Sequence, residues 1–259
     1  MRLRALLFDV DGTLADTEAA HLRAFNAAFR TLDIPWQWSA AEYAQLLTTT
    51  GGKERIARYI DALDATPQQR TRWHCLVPLI HSTKTRMFAD LVEMGSVVLR
   101  PGVARLLREA REAGVLLGIA STTTPRNVEA LLVASLGVSA LSWFGTIAAG
   151  DVVRRKKPAS DIYLHALGGL RVAAAEAVAF EDSELGVRAA KGAGLYTIAT
   201  PTSWTAAQDL RQSDLVLGSL GDPGAPVPAA DQQLLGAPWL TLERLQALHA
   251  AAPGGVAVR

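Results

Sequence analysis

The fold is decided by a stretch close to the amino terminus, Leu6-Leu7-Phe8-Asp9-Val10-Asp11-Gly12-Thr13-Leu14. The apolar run from Ala5 to Phe8 predicts a buried parallel strand. Two carboxylates one residue apart follow it, and in an extended chain residues i and i+2 point to the same side. We therefore expect Asp9 and Asp11 to lie close together at the carboxyl end of the strand, where open α/β sheets bind ligands.

Two neighbouring carboxylates repel each other unless one is protonated or a cation lies between them. The spacing therefore predicts a divalent metal site in which one aspartate also moves a proton. An isolated Asp-Xaa-Asp is equally typical of a solvated turn or of the start of a calcium loop. The apolar strand before the pair and Gly12-Thr13 after it favour a ligand site here.

Length and composition limit the class of protein. The chain has 259 residues, of which 49% are apolar, enough for one large domain or a core with a smaller domain. We expect no signal peptide and no membrane span, because no stretch approaches about 20 apolar residues. A net charge of +1 argues against a nucleic-acid partner. The single cysteine, Cys75, indicates a reducing cytoplasm, and we expect it to be a buried or half-buried helix residue.

Only helical patterns follow the first strand up to about residue 94. Leu22, Phe25 and Phe29 recur at helical spacing, and we expect Thr17 to cap this first helix. Further helices are predicted from Ser39 to Leu47, from Lys53 to about Leu63 and from Pro67 to about Met94. A purely helical insertion of this length predicts a separate small domain.

Strands and helices alternate from Arg100 onward, which predicts a doubly wound parallel sheet. The predicted strands are Val115–Ala120, Thr146–Ala148, Ala177–Phe180, Tyr196–Ala199 and Leu215–Leu217. A last helix or turn is expected over Trp239–Ala250, with a frayed tail from Pro253. The expected fold is thus an α/β, Rossmann-like core of residues 1–15 and 95–259, with an all-helical domain of residues 16–94 inserted after the first strand.

Three further strand ends carry polar groups. Hydroxyls and amides of Ser121-Thr122-Thr123-Thr124 suit phosphate oxygens, although an ordinary helix cap is the alternative. Lys157 lies in a basic run before Pro158 that by itself indicates a solvated loop. Glu181 and Asp182 end a strand before a helix, where they suit Mg²⁺ or a simple cap.

These four segments, in this order, resemble the motifs of the haloacid dehalogenase (HAD) superfamily. Ser160 stands where that family commonly has a second proline. The resemblance implies that Asp9 attacks phosphorus and forms an aspartyl phosphate, while Asp11 protonates the leaving group and then deprotonates water. It implies that Lys157 neutralises charge and that Ser121 belongs to the catalytic set. It further implies Mg²⁺ held by Asp9, the Asp11 carbonyl, Glu181 and Asp182.

The inserted segment makes the resemblance more specific within the superfamily. Phe8 to Glu18, the run from Thr48 to Arg58 and the Ser-Thr-Thr-Thr end look like the CbbY-type sugar-phosphate phosphatases. This resemblance implies that a helical cap closes over the substrate. The substrate-binding residues are then Glu18, His21, Thr50, Gly51, Gly52, Lys53, Arg55, Thr122, Thr123 and Lys84, with Arg86 as a further candidate. A flexible loop and a solvated helix face are the alternatives for these cap residues.

The resemblance implies hydrolysis of xylulose 1,5-bisphosphate, an inhibitor of Rubisco, to xylulose 5-phosphate. A β-phosphoglucomutase-like enzyme, a phosphoglycolate phosphatase and a non-catalytic scaffold stay as alternatives. We expect a monomer whose partner is a small phosphorylated sugar, with no nucleic acid and no membrane. It is expected in the cytoplasm, or in the plastid stroma if the mature chain is eukaryotic.

Overall fold

The computed structural model describes residues 2–252 and contains a six-stranded parallel sheet with helices on both faces. The strand order is β3-β2-β1-β4-β5-β6. The strands are β1 Ala5–Phe8, β2 Leu116–Ser121, β3 Phe144–Ala149, β4 Ala177–Glu181, β5 Tyr196–Ala199 and β6 Leu215–Val216. Among the described residues, none of the helices combines the length and the apolar character needed to cross a membrane.

The central strand β1 explains why the opening stretch decides the fold. All four of its residues are buried, and it pairs with β2 on one side and β4 on the other. In this register Leu6 lies between Leu117 and Val178. Because the strands are parallel, the residues that follow β1, β2 and β4 meet at one edge of the sheet. The polar residues that follow these three strands in the sequence therefore lie together at this edge.

Ten α-helices are described between residues 2 and 252. Side-chain caps start several of them; Ser39 and Thr66 form capping boxes with Glu42 and Gln69. The helices are α1 Glu18–Thr31, α2 Ala40–Leu46, α3 Gly52–Ala62, α4 Pro67–Glu93, α5 Val103–Glu112, α6 Pro125–Leu136, α7 Asp161–Leu170, α8 Glu184–Gly192, α9 Ala229–Leu235 and α10 Leu242–Ala251.

Helices α1 to α4 form the helical insert, a name used here for residues 16–94. The insert has its own apolar cluster, which includes Phe25, Trp38 and Ile56. The start of α1 and the end of α4 pack instead against the large cluster under the sheet, for example through Ala20 and Val92. The two connections to the sheet layer lie side by side, where Ala15 and Leu99 form an antiparallel bridge. The boundaries at residues 15 and 94 stay a prediction.

The structure corrects some local expectations. Thr17 precedes α1 but makes no side-chain cap, because its hydroxyl donates to Asp11 instead. Cys75 lies in α4 as predicted, but it is exposed, since it faces away from the cluster of the insert. Helix α9 was not predicted from the sequence. The tail expected to fray from Pro253 lies outside the described residues.

Candidate active site

Most of the predicted site residues line one pocket between the sheet edge and the helical insert. The sheet layer contributes the ends of β1, β2 and β4, and the insert contributes α1, the start of α3 and the middle of α4. The predicted residues that line the pocket are Asp9, Asp11, Glu18, His21, Thr50, Gly51, Gly52, Arg55, Lys84, Ser121, Thr122, Thr123, Lys157 and Asp182.

A buried lysine joins two strand ends at the bottom of the pocket. The Lys157 ammonium donates to Asp9 Oδ1 at 2.6 Å and to Glu181 Oε1 at 2.5 Å. Tyr163, which was not predicted, donates its hydroxyl to the same Glu181 oxygen at 2.6 Å. All four side chains are buried, so these charges interact in a medium of low polarity. Although burial opposes it, the pair of carboxylates raises the pKa of Lys157, which is therefore a permanent cation.

Three acids form a compact group suited to a cation. One oxygen each of Asp9, Glu181 and Asp182 lies within 4.8 Å of the others, and all three residues are buried. Burial and then the neighbouring Glu181 raise the pKa of Asp9 to about 7, although Lys157 opposes this. Burial and Asp9 raise the pKa of Asp182 as well. A divalent cation would remove this repulsion, and a donor set made only of oxygens fits Mg²⁺.

Gly12 permits the turn after β1 to approach the carboxylate of Asp182 closely. Its φ is +82°, in the left-handed region, and a Cβ at this position would lie 2.2 Å from Asp182 Oδ2. Only glycine therefore fits both the turn and the contact with the Asp182 carboxylate.

The carboxylate of Asp11 belongs to a different network from that of Asp9. Its Oδ1 accepts hydrogen bonds from Thr17 Oγ1 at 2.7 Å and from His21 Nε2 at 2.8 Å. On the other side of the imidazole, Lys84 Nζ lies 2.7 Å from His21 Nδ1. Burial lowers the pKa of Lys84 to about 8, and burial and Lys84 lower that of His21.

These contacts define the proton positions. At pH 7 Lys84 is charged and has only donors, so Nδ1 of the neutral His21 accepts and its Nε2–H donates to Asp11. Burial by itself would raise the pKa of Asp11, but the hydrogen bonds that it accepts from His21 and Thr17, with the nearby Lys84 charge, hold it below its ordinary value. Asp11 is therefore ionised in the free protein. Its predicted carbonyl contact with a metal stays a prediction.

The end of β2 supplies the hydroxyl side of the pocket. Ser121 and Thr123 are buried, and the Thr123 amide donates to Ser121 Oγ at 3.3 Å. Thr124 caps α6, so the alternative of an ordinary cap is correct for that residue. The hydroxyls of Ser121, Thr122 and Thr123 lie beside the amino terminus of α6, a favourable position for anions.

Tyr43, which was not predicted as a site residue, connects two pocket residues of the helical insert. Its hydroxyl donates to Glu18 Oε2 at 2.6 Å and accepts from Arg55 Nη1 at 2.7 Å. It is fully buried, and Trp204 of the sheet layer packs edge-on against its ring at 5.7 Å. Nothing in the sequence near Tyr43 distinguishes it from an ordinary apolar helix position.

The loop before α3 is divided between two environments. Thr50 donates to the Lys157 carbonyl at 2.6 Å, and Gly51, Gly52 and Arg55 line the pocket. Lys53 lies outside this pocket, where its ammonium contacts Asp151 Oδ2 at 2.7 Å. Arg86 is exposed and does not line the pocket either. Other residues not predicted for the site that line it are Leu47, His81, Asn127, Ser183, Thr205 and Gln208.

Comparison with known proteins places this geometry in a known group. A family model described as haloacid dehalogenase-like hydrolase matches residues 3–194. The plasmid form of protein CbbY from Cupriavidus necator is 45% identical over 249 residues, which are 95% of this chain and 97% of that relative.

Two solved structures are similar to this chain over most of its length. CbbY from Rhodobacter sphaeroides in complex with phosphate is 48% identical, has a TM-score of 0.77, and the match covers 84% of this chain and 94% of that one. A structure of a variant of that protein in complex with xylulose-(1,5)bisphosphate is 47% identical with a TM-score of 0.77, and the match covers 86% and 98%.

Proposed function

This chain belongs to the haloacid dehalogenase-like hydrolases and, within them, to the CbbY proteins, and from this premise we propose that it hydrolyses xylulose 1,5-bisphosphate to xylulose 5-phosphate and phosphate. It is a phosphatase, and its substrate is a small phosphorylated sugar. The observation that carries the proposed substrate is that cations of both layers line one pocket: Lys157 contacts Asp9 on the sheet layer, and the half-buried Arg55 of the helical insert is joined to Glu18 through the Tyr43 hydroxyl. A sugar with two phosphates matches these two cations.

The reacting phosphate binds at the Asp9 end. An oxygen of Asp9 attacks phosphorus, the bond from phosphorus to the sugar oxygen breaks, and an aspartyl phosphate forms. Lys157 lies 2.6 Å from Asp9 Oδ1 and stabilises the negative charge of the transferring group. Water then attacks the aspartyl phosphate, which releases inorganic phosphate and restores the Asp9 carboxylate.

Asp11 moves the proton in both steps. It gives a proton to the leaving sugar oxygen and later takes one from the attacking water. Because its pKa is low in the free protein, it must gain this proton when substrate binds. Asp11 gains this proton because the charge of a nearby phosphate dianion raises its pKa. His21 and Thr17 hold the other side of its carboxylate in place.

The acidic group at the sheet edge fits Mg²⁺. Asp9, Glu181 and Asp182 would hold the ion, with the Asp11 carbonyl as the further ligand that the family resemblance implies. When bound, Mg²⁺ supplies two positive charges that offset the acids and the phosphate. With Lys157, three positive charges then face three carboxylates, so a phosphate dianion can enter.

The helical insert acts as the lid of this site. It contributes Glu18, His21, Arg55 and Lys84 to a pocket whose reacting groups lie on the sheet layer. Closure of the insert over the pocket therefore brings its substrate-binding residues to the reacting groups of the sheet layer and excludes water before phosphoryl transfer. The resemblance to the CbbY proteins implies that the reaction removes an inhibitor of Rubisco.

A phosphate-release screen tests the proposed function. Purified protein is incubated with xylulose 1,5-bisphosphate, xylulose 5-phosphate, phosphoglycolate and β-glucose 1-phosphate, each with and without Mg²⁺. We expect one equivalent of phosphate from xylulose 1,5-bisphosphate, with the highest kcat/KM of the set, only with Mg²⁺. Faster conversion of β-glucose 1-phosphate to glucose 6-phosphate, or no phosphate from any sugar, would overturn the proposal.

A further inference from the structure

Arg100 connects three loops of the sheet layer with one side chain. It directly follows Leu99, the residue at which the chain returns from the helical insert. Its Nη1 donates to the carbonyls of Gly12 and Thr200 and, at 3.0 Å, to Thr200 Oγ1. Its Nη2 donates to the carbonyls of Pro201 at 3.1 Å and Gly218 at 3.0 Å. Within residues 2–252 no carboxylate forms an ion pair with this guanidinium.

Two of the three loops that Arg100 holds contact the Glu181-Asp182 pair. Gly12 lies directly against the Asp182 carboxylate, as its missing Cβ shows. The amide of Thr200 donates to the Glu181 carbonyl at 2.7 Å.

The segment after Pro201 also leads to the acids. The amide of Thr202 donates to Thr205 Oγ1 at 2.9 Å, and that hydroxyl donates to Asp182 Oδ2 at 3.3 Å. Three short routes thus run from the Arg100 guanidinium to the backbone or the carboxylate of the acidic pair.

We propose that Arg100 is a positioning residue of the metal site, which fixes the Asp182 carboxylate relative to Asp9 by joining Gly12 to the loop after β5. The proposal rests on the proposed function only in taking Mg²⁺ as the ion. The planar guanidinium suits this task, because its five N–H groups reach several carbonyls in fixed directions, whereas an ammonium has three donors at a single point. Partners that orient metal ligands typically change metal affinity by about 10- to 100-fold when they are removed.

The test measures Mg²⁺ binding without substrate. Isothermal titration calorimetry gives the Kd of Mg²⁺ for the wild type, Arg100→Met, Arg100→Lys and the control Arg105→Met. Arg105 is a matched control because it also holds a neighbouring loop, through the carbonyls of Leu220 and Gly221 and the carboxylate of Asp222, and none of these groups contacts the acidic pair.

We expect the Kd to rise at least roughly tenfold in Arg100→Met and at least about threefold in Arg100→Lys, with wild-type affinity in Arg105→Met. Addition of free guanidinium at low millimolar concentration should restore part of the affinity of Arg100→Met. Wild-type Kd values in both Arg100 variants, or an equal loss in Arg105→Met, would overturn the proposal. If Arg100→Met does not fold, as judged by circular dichroism, the Arg100→Lys value decides.

The measurements separate an error in the proposed function from an error in the role of Arg100. If the wild type binds Mg²⁺ but releases no phosphate from xylulose 1,5-bisphosphate, the substrate is wrong and the Kd ratios between variants still test Arg100. If the wild type binds no Mg²⁺, the role proposed for Arg100 is overturned.

Discussion

Asp9 meets two requirements that conflict in a stable folded protein. As the proposed nucleophile it must be ionised, yet it is buried beside Glu181 and Asp182, which raises its pKa to about 7. Its ion pair with Lys157 at 2.6 Å offsets only part of this cost. Asp9 therefore needs a cation nearby for full ionisation, as expected of an active-site group whose folded environment opposes its working state.

The first prediction concerns Asp9→Asn. The amide keeps the shape but cannot attack phosphorus, so we expect phosphate release to fall by at least about a thousandfold. Because one of three repelling acids is removed, the Tm in Mg²⁺-free buffer should equal or exceed that of the wild type. Phosphate release and a thermal melt measure the two effects. Normal turnover would contradict the role of Asp9, and a large fall in Tm would contradict the electrostatic argument.

The second prediction is a pH dependence of Mg²⁺ affinity. In the metal-free protein the pKa of Asp9 is about 7, above its ordinary 3.8, so below pH 7 this carboxyl carries a proton that the ion must displace. The affinity should fall by at least roughly tenfold for each pH unit below 7, because Asp182 can hold a second proton, and become flatter above 7. Calorimetry in two buffers of different ionisation enthalpy should show proton release on binding at pH 6.

The raised pKa of Asp9 also makes the stability of the metal-free protein depend on pH. Between about pH 4 and 7 the folded metal-free protein binds this proton and the unfolded chain does not. This group therefore stabilises the metal-free fold at low pH, and the contribution is lost as the pH rises through 7. Mg²⁺ affinity that does not change between pH 5.5 and 7 would contradict both statements.

At the scale of elements, helix α3 separates the two cations that the sequence suggests for a second phosphate. Lys53 and Arg55 lie two positions apart, and on a helix such residues point about 200° away from each other. Arg55 accordingly lines the pocket, while Lys53 contacts Asp151 outside it. The sequence could suggest both cations for a second phosphate, but one helical face can present only one of them.

The third prediction follows from this division. Arg55→Met should raise KM for xylulose 1,5-bisphosphate by roughly tenfold or more, because a charge-assisted contact is lost inside the pocket. Lys53→Met, which removes the same charge from the opposite face of α3, should change KM less than about threefold. Hydrolysis of acetyl phosphate, which has no second phosphate, should be similar in both variants. A larger effect of Lys53→Met on KM would show that Lys53 reaches the substrate.

The elements show which parts of the site can be predicted from sequence. Asp9, Ser121 and Glu181 lie at strand ends, and a parallel sheet brings such ends to one edge whatever the loops do. Tyr43 and Trp204 meet across 161 residues, and no local pattern predicts that contact. Thr17 matches a helix cap in sequence, yet its hydroxyl serves Asp11, because a tertiary hydrogen bond replaced the local one.

At the scale of the whole molecule, a group of ion pairs beside the pocket links the helical insert to the sheet layer. Asp151 accepts from Lys53 at 2.7 Å and lies 2.9 Å from Lys156, which in turn lies 2.9 Å from Glu54. The side chains of Lys53, Asp151 and Glu54 are 42%, 59% and 43% exposed. Such pairs contribute about 0–1 kcal/mol each, so this contact can close the pocket and still release product.

The fourth prediction tests whether this ion-pair group holds the closed form. Asp151→Asn removes the carboxylate shared by Lys53 and Lys156 and should raise KM for xylulose 1,5-bisphosphate by about two- to fivefold at low salt, with little change in Tm. At 0.5 M NaCl the wild type loses the same attraction through screening, so the two proteins should converge. Asp209→Asn is the matched control, because its exposed pair with Arg211 lies within one loop of the sheet layer. Equal KM values at low salt, or a difference that persists at high salt, would show that closure depends on other contacts, of which Trp204 against Tyr43 is the first to examine.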